Sequence, residues 1–140
     1  VASPIYLGNQ QMAEHGLAYD LREGSAWSGT FGVGGVALFA HTPTIKNPSG
    51  AAVFGHTTLT CYVPSVGSIQ GATWIDGVFQ TGWGHAYPPT NSYHTRHAFS
   101  WWTPALAVGQ HNVQVGIYVY NGQVAFDGND GGTSLCWEQP

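Results

Sequence analysis

Charge is the scarcest property of this chain. Only 7% of its 140 residues are Asp, Glu, Lys or Arg, against about a quarter in an average globular protein. Arg22, Lys46 and Arg96 are all of its fixed positive charge. Phosphate recognition needs clustered Lys or Arg that displace counterions, so nucleic acid is a poor partner. A polybasic membrane patch fails on the same ground. No run of about 18 apolar residues exists, so no span of the kind a membrane helix needs is present. No basic segment followed by an apolar run stands at Val1. Low charge with 43% hydrophobic residues is also the reverse of a disordered composition.

Catalytic signatures are missing as well. There is no Gly-x-Ser-x-Gly turn, and no glycine-rich phosphate loop between a strand and a helix. The His-x-x-His at His94 and His97 lacks the Glu and the helix of a zinc hydrolase. Asp20 with Glu23, and Asp127 with Asp130, are the nearest approaches to paired carboxylates. Asp127 to Gly132 has a loose calcium-loop flavour. It lacks the regular ligand series and closing Glu of an EF-hand, and reads as a solvated turn. The chain therefore reads as non-enzymatic, with no catalytic residue and no cofactor.

Cysteine is rare too. Cys61 and Cys136 are the only pair, separated by most of the chain. An even count in a small, Trp-rich, low-charge β protein predicts one disulfide and an oxidising, extracellular compartment. Such a bridge would contribute about 4 kcal/mol in the chain-entropy account.

Glycine, by contrast, is abundant at 20 residues, which fits short strands joined by tight turns. Helix signals are nearly absent. Gln10–Arg22 is the best candidate, but Gly16 interrupts it and no 3.6-residue period runs through it. Strands are expected instead near residues 4–7, 17–21, 27–31, 36–41, 51–54 and 56–63, and within 68–79. The clearest pattern lies between Ala98 and Val119. Phe99 and Trp101 alternate with Ser100 and Trp102, and Val113, Val115, Ile117 and Val119 fall on every second residue. Period two means strands with one buried face. Asp76-Gly77 reads as a hairpin turn and Asn121-Gly122 as another tight turn.

From Pro43 to about Phe126 the order resembles bacterial immunoglobulin-like domains. The resemblance rests on Pro43, Ile45, Pro48, Gly50 and Val53, the strand TTLTC, Trp74-Ile75 before Asp76-Gly77, and Phe99, Trp101, Leu106, Gly109 and His111 before VQV. It implies an all-β, immunoglobulin-like β-sandwich with additional N-terminal strands. Residues 1–41 would form a β extension packed on one sheet, 42–126 the immunoglobulin-like core, and 127–140 a disulfide-anchored tail of the same domain. It also implies a structural role for His111 beside a turn. The cysteines do not sit where the inter-sheet bridge of antibody domains sits.

Alternation places Phe99, Trp101, Ile75, Val113, Val115, Ile117 and Val119 inside. It turns Trp74, Trp102, Tyr118 and Tyr120 outward, as partner-facing aromatics. Such a face needs a cover, either the N-terminal segment, which is favoured, or a partner. The loop Gln80–Arg96 supplies a second candidate site. There Trp83, Tyr87 and Tyr93 would stack on a sugar, while His85, Asn91 and His94 would hydrogen-bond its hydroxyls. His85, His94 and His97 are weak metal candidates, since their spacing matches no zinc signature. The function expected is a non-catalytic extracellular module that binds a surface, glycan or protein partner. The alternative is a self-assembling structural subunit of an extracellular filament, pilus or virion. A His-rich metal-binding protein ranks third.

Overall fold

Residues 20–63, 68–80, 86–87 and 94–139 are described by a computed structural model of the chain. Among them strands dominate and no helix occurs. In chain order these are β1 (Asp20–Phe31), β2 (Gly34–His41), β3 (Thr44–Ile45), β4 (Val53–Cys61), β5 (Ser68–Ile75) and β6 (Val78–Gln80). Then follow β7 (Ala86–Tyr87), β8 (Thr95–Trp102), β9 (Gly109–Gln110), β10 (Val113–Asn121) and β11 (Val124–Glu138). Every pairing among them is antiparallel.

One sheet has the order β1-β11-β4-β8, and the other β2-β10-β5-β6, with β7 also paired to β5. Strands β3 and β9 form a separate ribbon. The all-β sandwich expected from period two is thus present, but the immunoglobulin arrangement is not. An immunoglobulin sheet pairs its first two strands. Here β1 and β2 lie in different sheets, and among the described strands the first pairs with the last. The chain keeps crossing from one sheet to the other, which is the winding of a jelly roll. Side-chain alternation marks which residues form strands; it carries no record of which strand lies beside which.

The two ends of the chain change meaning accordingly. Among the described strands β1 and β2 lie at the edges, one in each sheet, and residues 20–41 do not lie over a sheet as an added layer. β11 is a central strand, hydrogen-bonded to β1 on one side and β4 on the other. Its anchor is this double ladder and not a disulfide. Cys61 pairs with Thr95, while Cys136 pairs with Gly55, six positions back along β4. Six residues of strand put the two about 20 Å apart, and a bridge needs Cα atoms within about 7 Å. Both thiols are free and buried, with pKa values pushed up to about 12, chiefly by burial. The compartment inferred from a bridge loses its support.

The core follows the expected phase. Phe99, Trp101, Val113, Val115, Ile117 and Val119 are all buried, and Ile75 is buried while Trp74 is turned out. Asp76 and Gly77 both have positive φ, at 50° and 84°. That is the left-handed pair a two-residue hairpin needs, and it joins β5 to β6. Among the described residues several other glycines sit inside strands for a different reason. A Cβ at Gly55 would run into the indole of Trp101, its registered partner on β8, and one at Gly71 into the ring of Phe99. These positions are receptacles for rings.

Candidate functional site

The sandwich interior holds a polar chain that the sequence pattern did not announce. His41 ends β2 on its inward phase and is fully buried. Its Nδ1 lies 2.9 Å from Asp20 Oδ2, and its Nε2 2.8 Å from Ser134 Oγ. Ser134 Oγ lies 2.7 Å from Thr57 Oγ1, which accepts the Trp101 Nε1–H at 2.9 Å. An indole N–H can only donate and an ionised carboxylate only accept. Burial disfavours a second proton on the His41 ring, so Nε2 accepts and the chain runs one way. Trp101 donates to Thr57, Thr57 to Ser134, Ser134 to His41 Nε2, and His41 Nδ1–H to Asp20. In this order His41 is the neutral Nδ1–H tautomer. Burial holds its pKa below the ordinary value, against the opposing pull of Asp20.

Asp20, His41 and Ser134 have the order of contacts of a hydrolase triad, but they cannot act as one. Ser134, His41 and Thr57 expose no surface, so no substrate carbonyl reaches the hydroxyl. The chain links β2 in one sheet to β1, β11, β4 and β8 in the other, and its role is to lock the two layers in register.

The histidines of the loop region separate. His97 faces the core from β8, and burial lowers its pKa. His94 points the other way. Its Nδ1 lies 2.8 Å from Asp130 Oδ2, and its Nε2 3.2 Å from Asp127 Oδ2. Asp130 is buried and also accepts the Asp127 backbone N–H at 3.0 Å. Thus His94 meets two carboxylates, close enough to share one ion, while His97 turns to the core. Trp83, His85, Asn91 and Tyr93 lie outside the described residues. The backbone of Tyr87 pairs with Ile69 of β5, at the edge of the five-stranded sheet.

His111 holds the β5–β6 turn. Its Nδ1 lies 2.8 Å from Asp76 Oδ2, and its Nε2 2.9 Å from the Ala107 carbonyl. Both ring nitrogens face acceptors, so the Asp76 hydrogen bond raises its pKa. Asp76 is held low, first by the Asn112 backbone N–H at 2.9 Å and then by His111.

The outward aromatics form the most extended feature. On the outer face of the five-stranded sheet, Trp74 of β5 stands 5.6 Å from Phe79 of β6, centroid to centroid. Phe79 stands 5.0 Å from Tyr118 of β10, and Tyr118 4.8 Å from Tyr120. The Trp74 indole reaches across β10 as far as Gly35 on β2, where a Cβ would collide with it. Two glutamines alternate with the rings. Gln114 is the registered neighbour of Trp74, and Gln70 that of Tyr118. Tyr120 is 50% exposed, and the other three rings are half-buried. Sequence parity located Trp74, Tyr118 and Tyr120. It missed Phe79, which follows the hairpin turn and so takes its phase from β6. Trp102 also points outward, but from the opposite sheet, in one cross-strand row with Phe54 and Trp137.

The chain matches no protein-family model and no curated protein sequence. Among solved structures it is similar to the C-terminal domain of EclA, described as a sugar-binding protein. The identity there is 12% over 81% of this chain and 73% of that one, with a TM-score of 0.44. It is also similar to VP2 of the infectious bursal disease virus subviral particle, at 11% identity and a TM-score of 0.45, over 86% of this chain and 32% of that one. A third is Eiger TNF from S. frugiperda, at 6% identity and a TM-score of 0.41, over 87% of this chain and 93% of that one. Likeness this distant assigns no function.

Proposed function

We propose that the protein is a non-catalytic carbohydrate-binding module, and that the outer face of its five-stranded sheet is the binding surface. The observation that carries this is the unbroken strip Trp74–Phe79–Tyr118–Tyr120, interleaved with Gln70 and Gln114. Aromatic faces take the apolar C–H faces of sugar rings, and amide and phenol groups hydrogen-bond the hydroxyls. From Trp74's row to Tyr120 the strip runs six residues along β10, about 20 Å at the rise of a strand. That is longer than a single hexose and suits a chain of them. Ligands of this kind are met on cell surfaces and in secreted matrices, and an extracellular location goes with the reading.

Affinity electrophoresis through gels containing hydroxyethylcellulose, agarose or galactomannan tests it. At least one should retard the protein. Tyr120→Ala should weaken retention about fivefold, since a stacked ring contributes about 1 kcal/mol. Trp74→Ala should abolish it. Tyr120 is half exposed, so the melting temperature of its variant should stay within about 2 °C of wild type. No retention by any saccharide ends this reading.

A specific observation favours a second reading, a self-assembling subunit. Phe54 lies between Trp137 and Trp102 in one row on the outer face of the four-stranded sheet, and Leu21 pairs with Leu135 nearby. Trp102 is 43% exposed and Leu21 49%. Light scattering after size exclusion should then give a mass well above 14.9 kDa, and Trp102→Glu should return the monomer. A wild-type monomer at every concentration eliminates assembly through this face.

A further inference from the structure

We infer that the aromatic face selects uncharged saccharides and rejects anionic ones such as uronate-bearing or sulfated chains. The inference rests on the carbohydrate reading above and names its ligand class. Its ground is the distribution of charge over the fold.

The strands of the five-stranded sheet contain not one Asp, Glu, Lys or Arg. This holds for GGVALFAH of β2, SIQGATWI of β5, VFQ of β6, AY of β7 and VQVGIYVYN of β10. Their one histidine, His41, is buried on the inner side. The few cations of the chain lie elsewhere. Arg22 is in β1 and Arg96 in β8, both in the opposite sheet, and Lys46 follows β3. Among the described residues of the strip, the polar side chains are Gln70, Gln114, Tyr118 and Tyr120.

A carboxylate or sulfate brought onto this surface would lose hydration against the rings and meet no Lys or Arg on these strands. The formal net charge of −4 would repel a polyanion further. A neutral sugar meets no such penalty. Its C–H face covers a ring while a neighbouring amide or phenol serves its hydroxyls. The two glutamines give this arrangement polarity without charge. Each stands beside one ring, Gln114 next to Trp74 and Gln70 next to Tyr118.

The test compares saccharides matched in backbone and differing in charge. Wild-type protein is run through gels of hydroxyethylcellulose against carboxymethylcellulose, and of agarose against the sulfated galactan carrageenan. The neutral member of at least one pair should retard the protein at least tenfold more strongly than its anionic partner. Gln114→Lys, which places one cation beside Trp74, should raise retention by the anionic partner at least threefold at low salt. That gain should disappear at high salt. Equal retention by both members, or stronger retention by the anionic one, overturns the selectivity and leaves the carbohydrate reading standing. An unchanged preference in Gln114→Lys also overturns it, since selection would then not depend on charge at the face. Retention by neither member removes the carbohydrate reading, and this inference falls with it.

Discussion

Gly55→Ala should destabilise the protein by about 3 kcal/mol, although it adds one methyl group. Gly55 faces Trp101 across the β4–β8 ladder, and the added Cβ would fall within the indole. The ring cannot step aside. It exposes no surface, packs against His41 at a centroid distance of 5.8 Å, and donates its N–H to Thr57 at 2.9 Å. Overpacking a filled core costs about 1–3 kcal/mol. A broken buried hydrogen bond at Thr57 adds about 1–3 more. Urea unfolding should show the midpoint fall at constant slope. Gly32→Ala serves as the control, since nothing lies within 4 Å of its Cβ position and surface changes stay within about 0.5 kcal/mol. The two residues in contact should also couple. Trp101→Leu should cost less in the Gly55→Ala background than in wild type. A Gly55→Ala variant as stable as wild type would show that the glycine is not a receptacle for the ring.

That contact also shows where sequence reading succeeds here and where it stops. Period two revealed the strands and the phase of burial, because alternation is a local property. Asp76-Gly77 was legible for a similar reason, since a two-residue hairpin demands its own residue types. Pairing was not legible. The residues that support an immunoglobulin-like order, such as Ile45, Val53, Phe99 and Trp101, would alternate in the same way in a jelly roll. The glycines were read as turns, yet Gly55 and Gly71 are mid-strand and defined by rings that are distant in sequence. Parity placed Trp102 outward correctly, but could not tell that it faces away from Trp74 on the other sheet. Of the aromatic face, three of the four rings were within reach of parity. The charge-free character of the sheet appears only when its five strands are brought together. His41 was within reach too, since it follows Phe39 in the inward phase of β2. Its partners were not, because Ser134 lies 93 residues away.

Acid should unfold the protein from about pH 6.5 downward, and His41 should be a principal cause. An unfolded histidine titrates near 6.5. Burial lowers the folded pKa of both His41 and His97. As pH falls below 6.5 the unfolded chain takes up protons that the folded chain refuses. Stability therefore declines until the folded values are passed. With both groups silent in the fold, the slope approaches but does not exceed about 2.7 kcal/mol per pH unit. The other shifted groups act in other windows. His111 has a raised folded pKa, so its contribution is complete below 6.5 and lost only as pH rises through that raised value. Asp76 has a lowered one, so its contribution is lost only below the ordinary carboxylate range. Among the described groups with shifted values, the buried histidines are the ones that act between pH 6.5 and 5. His41→Gln keeps a donor toward Asp20 and an acceptor toward Ser134 but cannot titrate. It should cost about 1–2 kcal/mol at pH 7.5 and roughly halve the slope between pH 6.5 and 5, read from urea midpoints across that range. Stability that stays flat in wild type down to pH 5 would mean that His41 becomes an imidazolium in the fold as readily as in the unfolded chain. Nε2 would then donate to Ser134, and the one-way chain from Trp101 to Asp20 would have to be abandoned.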